Sequence, residues 1–222
     1  PAGVLNFVTG SGSEIGDTLV SHPKVKAISF TGSTEVGTAI HQKAAAALTR
    51  TQLEMGGKNP IVVLADADLA AAADSAVLAA YACAGQWCTS TSRALVEKSV
   101  LSEFLDLLLS RVGRIVVGKG TDPRTTMGPV CGESQLRNIL AGIEKGKAEG
   151  ARLLVGGGRV GEGDLGRGCF VEPTVFADVE PEMFLAQEEI FGPVLSVMAV
   201  DGFDEAVRVA NGVRFGLASS IY

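Results

Sequence analysis

Residues 25–48 read V-K-A-I-S-F-T-G-S-T-E-V-G-T-A-I-H-Q-K-A-A-A-A-L, and this stretch decides the fold. Val25 to Phe30 has the composition of a β-strand, and Thr31-Gly32-Ser33 supplies a turn with N-cap chemistry. Glu35 to Leu48, rich in alanine, has the propensity of a helix. The residues before it repeat the arrangement: Val4 to Val8 is apolar, Gly10 to Gly16 turns, and Ile15 to Val20 continues with helical spacing. Two strand-turn-helix units in succession imply crossovers in a parallel sheet, and so an α/β fold.

Outward from this core, strand-like Thr51 to Glu54 meets Gly56-Gly57, where the chain can change direction. A domain boundary is expected there, dividing 1–57 from 58–222. A strand resumes at Ile61 to Leu64, and Asp66 to Asp68 puts its acids at the positive end of a long Ala-rich helix running from Leu69 to Gly85. Alternation continues with strand Arg93–Glu97, helix Leu101–Val112, a Gly/Pro-rich loop over 118–129, helix Gln135–Glu149 and strand Arg152–Val155. Glycine-rich residues 156–168 read as a turn or hairpin excursion, followed by strands Phe170–Val175 and Leu195–Val200 and a short helix Phe203–Asn211.

With 222 residues, 46% of them hydrophobic, the chain can bury a sizeable core. Its net charge is -6 and no cluster of Lys and Arg compensates locally, which argues against nucleic acid as a partner. The most apolar stretch is interrupted by Asp74 and is too short to span a bilayer, so no membrane partner is expected. Four cysteines without a CxxC pair and only two histidines, His22 and His41, offer no metal ligand set and point to free thiols in a reducing cytoplasm. Pro1 opens straight into P-A-G-V-L-N-F-V-T-G, and the chain stops at Tyr222 on a strand-like run, so it is expected to be a piece of a longer protein.

Several residues suggest chemistry. Gly10 to Gly16 has GxGxxxG spacing rather than the GxGxxG dinucleotide fingerprint, and a turn without a ligand accounts for it equally well. The second hydroxyl-rich turn, Thr31 to Thr34, strengthens the case, because two such turns on one edge of a parallel sheet suggest a nucleotide site. Cys88 lies in G-Q-W-C-T-S-T-S-R, between a helix and a strand, where exposed N–H groups would favour the thiolate. Glu54, at a strand end before two glycines, could project a partly desolvated carboxylate into a cleft as a general base. Residue by residue, the plainer readings are favoured: a small buried hydrophobe for a cysteine, which suits Cys83, and a solvated carboxylate for Glu54. Glu188-Glu189 could bind ribose hydroxyls or simply be surface charge.

Taken together, these segments resemble the aldehyde dehydrogenase superfamily in order and spacing. They are P-A-G-V-L-N-F-V-T-G at 1–10, F-T-G-S-T-E-V-G at 30–37, L-E-M-G-G-K-N-P at 53–60, G-Q-W-C at 85–88 and E-E-I-F-G-P-V at 188–194. D-A-D-L at 66–69 and N-G-V-R-F-G-L-A at 211–218 extend the similarity over essentially the whole chain. The resemblance implies the C-terminal part of a Rossmann-like cofactor domain followed by most of a catalytic α/β domain. It implies Cys88 as the nucleophile and Glu54 as the general base, with an aldehyde as substrate. It further implies NAD or NADP as cofactor, with Gly32 and Ser33 forming the cofactor turn near the pyrophosphate. Gly12 and Gly16 would lie near the adenosine half, and Glu189 and Phe191 would contact the ribose and nicotinamide.

The family's upstream Asn of the oxyanion hole, its adenine-ribose readers, and its C-terminal pocket and oligomerisation segments have no counterpart in these 222 residues. The longer protein is therefore expected to turn over, as a homodimer or homotetramer, and these residues alone are not. Within the superfamily the segments look closest to branches acting on semialdehydes such as 2-oxoglutarate semialdehyde. The rival readings are a CoA-acylating dehydrogenase, against which Glu54 argues, and a non-catalytic binding or structural relative.

Overall fold

The computed structural model describes residues 1–161 and 163–222, and its backbone contacts divide the chain into two compact units, Pro1–Gly56 and Gly57–Tyr222. The division falls one residue before the expected boundary.

The first unit contains α1 (Gly12–Ser21), β1 (Ala27–Thr31), α2 (Thr34–Ala46) and β2 (Arg50–Glu54). The strands are parallel and joined by α2, with Ala27 opposite Arg50 and Thr31 opposite Glu54. Ser33 caps α2 by accepting the Val36 N–H at 3.3 Å, and Gly37 faces Met55, just after β2, where a Cβ would lie 2.7 Å from Sδ. Two expectations fail here. Val4 to Val8 forms no strand, and Leu5 and Phe7 are each 90% exposed; an extended segment without a neighbouring strand has no partner for its peptide groups. The turn expected over Gly10 to Gly16 ends at Ser11 instead. Ser11-Gly12-Ser13-Glu14 is a capping-box sequence, and the Glu14 carboxylate accepts from Ser11 Oγ at 2.9 Å, so Gly12 and Gly16 lie inside α1.

The second unit runs β3 (Asn59–Val63), α3 (Leu69–Tyr81), β4 (Thr91–Glu97), α4 (Leu101–Val112), α5 (Gly132–Ala148), β5 (Arg152–Val155), β6 (Thr174–Ala177), α6 (Phe184–Gln187), β7 (Val194–Val200), α7 (Phe203–Asn211) and β8 (Ser220–Ile221). Its six-stranded sheet has the order β5-β6-β7-β4-β3-β8, antiparallel only between β5 and β6. β3 is buried along its whole length, as expected for a parallel strand covered on both faces. Asp68 caps α3 through the Ala71 N–H at 3.0 Å, and the helix buries Ala72, Ala73, Ala76 and Ala80. Phe104 and Leu108 of α4, Ile139 and Ile143 of α5, and Leu195 of β7 complete the core.

β6 begins four residues later than the sequence suggests. Pro173 lacks the N–H a ladder needs, and Phe170 and Val171 are buried outside any strand, Val171 making an isolated bridge with Arg159. Among the described residues no helix is long and apolar enough to cross a membrane.

Candidate active site

In the second unit the site is built around the start of β3. The Asn59 side chain, 3% exposed, bonds three backbone groups, using both N–H donors and one lone pair of its oxygen. Its Nδ2 donates to the carbonyls of Cys88 at 2.7 Å and Ser90 at 2.9 Å, and its Oδ1 accepts the Ala218 N–H at 3.0 Å. Beside it, a Cβ on Gly57 would lie 2.9 Å from the same Cys88 carbonyl oxygen, so glycine is what permits the approach. The Gly57 N–H donates to Glu189 Oε1 at 3.1 Å. The Lys58 carbonyl accepts from Arg93 Nε at 2.9 Å.

Cys88 occupies a turn closed by the Ser90 N–H on the Trp87 carbonyl at 3.0 Å and by the Trp87 N–H on Ser90 Oγ at 3.3 Å. Cys88 is half-buried, and its own N–H has no hydrogen-bond partner among the described residues. Upstream the chain leaves α3 through a tight turn, Ala82–Gly85, with Cys83 at φ +50° and Ala84 at φ +56°. Gly85 follows at φ +67°, and a Cβ there would meet the Gly192 carbonyl oxygen at 2.2 Å. Gln86 ties the turn down, donating to the Cys83 carbonyl at 3.1 Å and accepting the Cys131 N–H at 2.8 Å. Cys83 is exposed, not the buried hydrophobe expected of it, because the left-handed turn carries it off the apolar face of α3.

Glu189 is half-buried, and desolvation raises its carboxyl above the usual range, opposed by the Gly57 N–H and the charge of Lys58. Its Oε1 is engaged by Gly57, while Oε2 has no partner among the described residues. That free, partly desolvated oxygen suits a hydroxyl donor such as a ribose. Lys58 is 3% exposed, and burial, followed by the nearby Arg93 charge, lowers its pKa to about 7 against the pull of Glu189 and Glu188. Phe191 takes a left-handed φ of +54° and is 39% exposed. Gln135 holds that loop, donating to the carbonyls of Ile190 at 3.1 Å and Phe191 at 2.9 Å.

In the first unit Gly32 and Glu54 come together: the Gly32 N–H donates to the Glu54 carbonyl at 3.1 Å, at the carboxyl ends of β1 and β2. Ligands of open α/β sheets sit at such ends. The Glu54 side chain is exposed and accepts from Gln52 Nε2 at 3.4 Å. Ser33 is committed to capping α2, and the N–H groups of Thr34 and Glu35 in its first turn have no partners among the described residues. That end of a 13-residue helix suits a phosphate. The start of α1 suits one less, because the Glu14 carboxylate already sits there. A Cβ on Gly32 would lie 2.5 Å from the Phe30 ring, so a larger residue there would require that ring to shift.

Asn59, Gln86, Arg93 and Gln135 are site-building residues that the sequence reading missed. Two carried a signal: Asn59 opens an apolar strand, and Arg93 directly precedes the apolar run Ala94-Leu95-Val96 of β4, and a polar side chain in a buried strand must find partners. Arg93 finds three, the carbonyls of Lys58, Val209 at 3.0 Å and Ala210 at 2.9 Å.

Comparison with known proteins places these features in a family context. The model of the aldehyde dehydrogenase family matches residues 1–222. An alpha-ketoglutaric semialdehyde dehydrogenase of Bacillus subtilis is 47% identical over 222 residues, which are 100% of this chain and 46% of that protein. A betaine aldehyde dehydrogenase of Staphylococcus aureus, solved in complex with NAD+, superposes with a TM-score of 0.98 at 41% identity, over 100% of this chain and 44% of that one. An NAD-dependent aldehyde dehydrogenase of Sinorhizobium meliloti gives 0.96 at 42%, again over 100% and 44%. The chain thus spans a little under half the length of these relatives.

Proposed function

Because the chain belongs to the aldehyde dehydrogenase family, we propose that the protein oxidises an aldehyde to a carboxylic acid with NAD+ or NADP+, using Cys88 as nucleophile and Glu54 as base. The observation that carries this reading is the Cys88 turn. Cys88 is half-buried, its N–H has no partner among the described residues, and its backbone is pinned by Asn59. The thiolate adds to the aldehyde carbon, the new S–C bond displaces the carbonyl π pair onto oxygen, and the free N–H of Cys88 faces the resulting alkoxide. The nicotinamide, when bound, supplies the acceptor for the hydride that leaves that carbon. Glu54 then removes a proton from water, the oxygen adds to the thioester, and the C–S bond breaks to return the thiolate and release the acid.

The cofactor's phosphates would lie at the N-terminus of α2 beside Gly32 and Ser33, with Gly12 and Gly16 toward its adenosine half. Glu189 would accept from a ribose hydroxyl, and Phe191 would flank the nicotinamide. The likeness to the Bacillus subtilis enzyme supports a carboxylated semialdehyde as substrate. A cytoplasmic homodimer or homotetramer completes the reading.

The test is reduction of NAD+ and NADP+ by the full-length protein with aliphatic, aromatic and carboxylated aldehydes. The expected result is the highest kcat/KM on a carboxylated semialdehyde and complete loss of turnover in Cys88→Ser. Turnover that survives Cys88→Ser would remove the nucleophile assignment.

A further inference from the structure

We infer that Asn59 is the positioning residue for the nucleophile, its carboxamide carrying the order of the sheet into the turn from which the Cys88 thiol attacks. The inference rests on the reading of Cys88 as nucleophile. Its basis is the way main-chain pairing ends at this point. β3 and β4 run in register from Pro60 opposite Arg93 onward, but the register shifts between Asn59 and Pro60, and Asn59 faces Thr91. Pro60 has no N–H, so the ladder cannot donate there. Cys88 and Ser90 lie before β4 begins, beyond the reach of that ladder. The two N–H groups of Asn59 bridge the gap by taking both carbonyls, and its oxygen anchors the same side chain to Ala218.

Pinning the Cys88 carbonyl fixes the peptide plane that follows the nucleophile. The Trp87–Ser90 bonds fix the turn around it. Gly57 confines the same carbonyl oxygen from another side. Among the described residues, the N–H and the thiol of Cys88 remain without partners, and these are the two groups the chemistry uses. The geometry demands two donors and one acceptor from one short side chain. Asp would keep the acceptor and set a carboxylate oxygen against two carbonyls, Ser would supply a single donor, and Ala would supply none.

The experiment uses the full-length protein with Asn59→Ser, Asn59→Ala and Asn59→Asp. Each is assayed for kcat, for KM of aldehyde and cofactor, for thermal midpoint, and for the rate of Cys88 alkylation by iodoacetamide relative to Cys83 in the same molecule. Thr174→Val serves as the control, because it removes a buried hydroxyl of β6 that accepts the Gly157 N–H, donates to the Glu172 carbonyl and makes no hydrogen bond to Asn59, Cys88 or Ser90. The expected result is a fall in kcat on the order of 10-fold to 100-fold in Asn59→Ala and Asn59→Asp, the scale of a misplaced reacting group. Asn59→Ser should be intermediate, both KM values should stay within about threefold, and the alkylation ratio should fall with kcat. Thr174→Val should lower the thermal midpoint and leave kcat and the ratio unchanged. Asn59 variants that behave like Thr174→Val, losing stability while keeping kcat and the alkylation ratio, overturn the inference. Turnover in Cys88→Ser would instead show that the underlying reading of the nucleophile had failed.

Discussion

Lys58→Met is expected to stabilise the protein in a pH-dependent way. Lys58 is 3% exposed and forms no ion pair among the described residues. Lys58 lines a cleft of about 410 Å³ whose walls include Val62, Phe203, Phe215 and Leu217, apolar neighbours against which a methionine can pack. Burial, aided by the neighbouring Arg93 charge, lowers its pKa from the ordinary 10.5 to about 7. Below pH 7 both folded and unfolded chains carry the proton, and folding bears the full penalty of burying an ammonium group. Between 7 and 10.5 the unfolded chain binds a proton that the folded one lacks, so stability rises with pH; above 10.5 both are neutral and the penalty is gone. At somewhat more than ~1 kcal/mol per pH unit, the gap between 10.5 and 7 amounts to about 5 kcal/mol. Urea unfolding of the full-length protein and of Lys58→Met, at pH values spaced from 7 to 10.5, isolates this effect because other titrations cancel in the difference. The advantage of the variant should be largest at pH 7 and shrink steadily as the pH rises. A difference that stays flat across the range would refute the burial of a titrating ammonium group.

Gly85→Ala should abolish soluble expression or unfold the second unit, since its Cβ would fall 2.2 Å from the Gly192 carbonyl oxygen at a φ of +67°; a stable, active variant in a thermal melt would contradict this packing. Arg93→Met strands the carbonyls of Lys58, Val209 and Ala210 and should cost on the order of 3 kcal/mol or more, read as a lowered urea midpoint. Glu54→Gln should leave a first-turnover burst of reduced nicotinamide while steady-state acid release falls about 100-fold or more. Rapid-mixing absorbance measurements separate the two phases, and steady-state turnover equal to that of the parent would exclude Glu54 as the base.

Most of the fold is legible in the sequence, because its signals are local and repeated. Helices Leu101–Val112 and Phe203–Asn211 and strand Arg152–Val155 fall where periodicity puts them. The failures share a physical cause, in that composition alone does not say where a segment's peptide groups find partners. Val4 to Val8 has strand composition and no strand beside it in the first unit. Phe170 and Val171 have strand composition, but Pro173 delays the ladder. Gly12 and Gly16 look like turn residues until Ser11 and Glu14 are read as a capping pair, which then sets the helix start ahead of both.

The site divides along the same line. Cys88 and Glu189 are visible as motif residues, but nothing in G-Q-W-C or E-E-I-F-G-P-V tells which backbone groups they meet. That information lies in L-E-M-G-G-K-N-P, whose last residues each make a separate long-range connection. Gly57 meets Glu189 through its N–H and Cys88 through its missing side chain; Lys58 meets Arg93 through its carbonyl; Asn59 meets Cys88, Ser90 and Ala218 through its carboxamide. Two of these connections are made by main-chain atoms and one by the absence of a Cβ, so residue chemistry cannot announce them. Asn59 is the exception, because a buried carboxamide must be satisfied on both its faces. A polar residue at the mouth of an all-apolar strand is therefore a signal that the strand holds something in place, and here what it holds is the turn carrying Cys88.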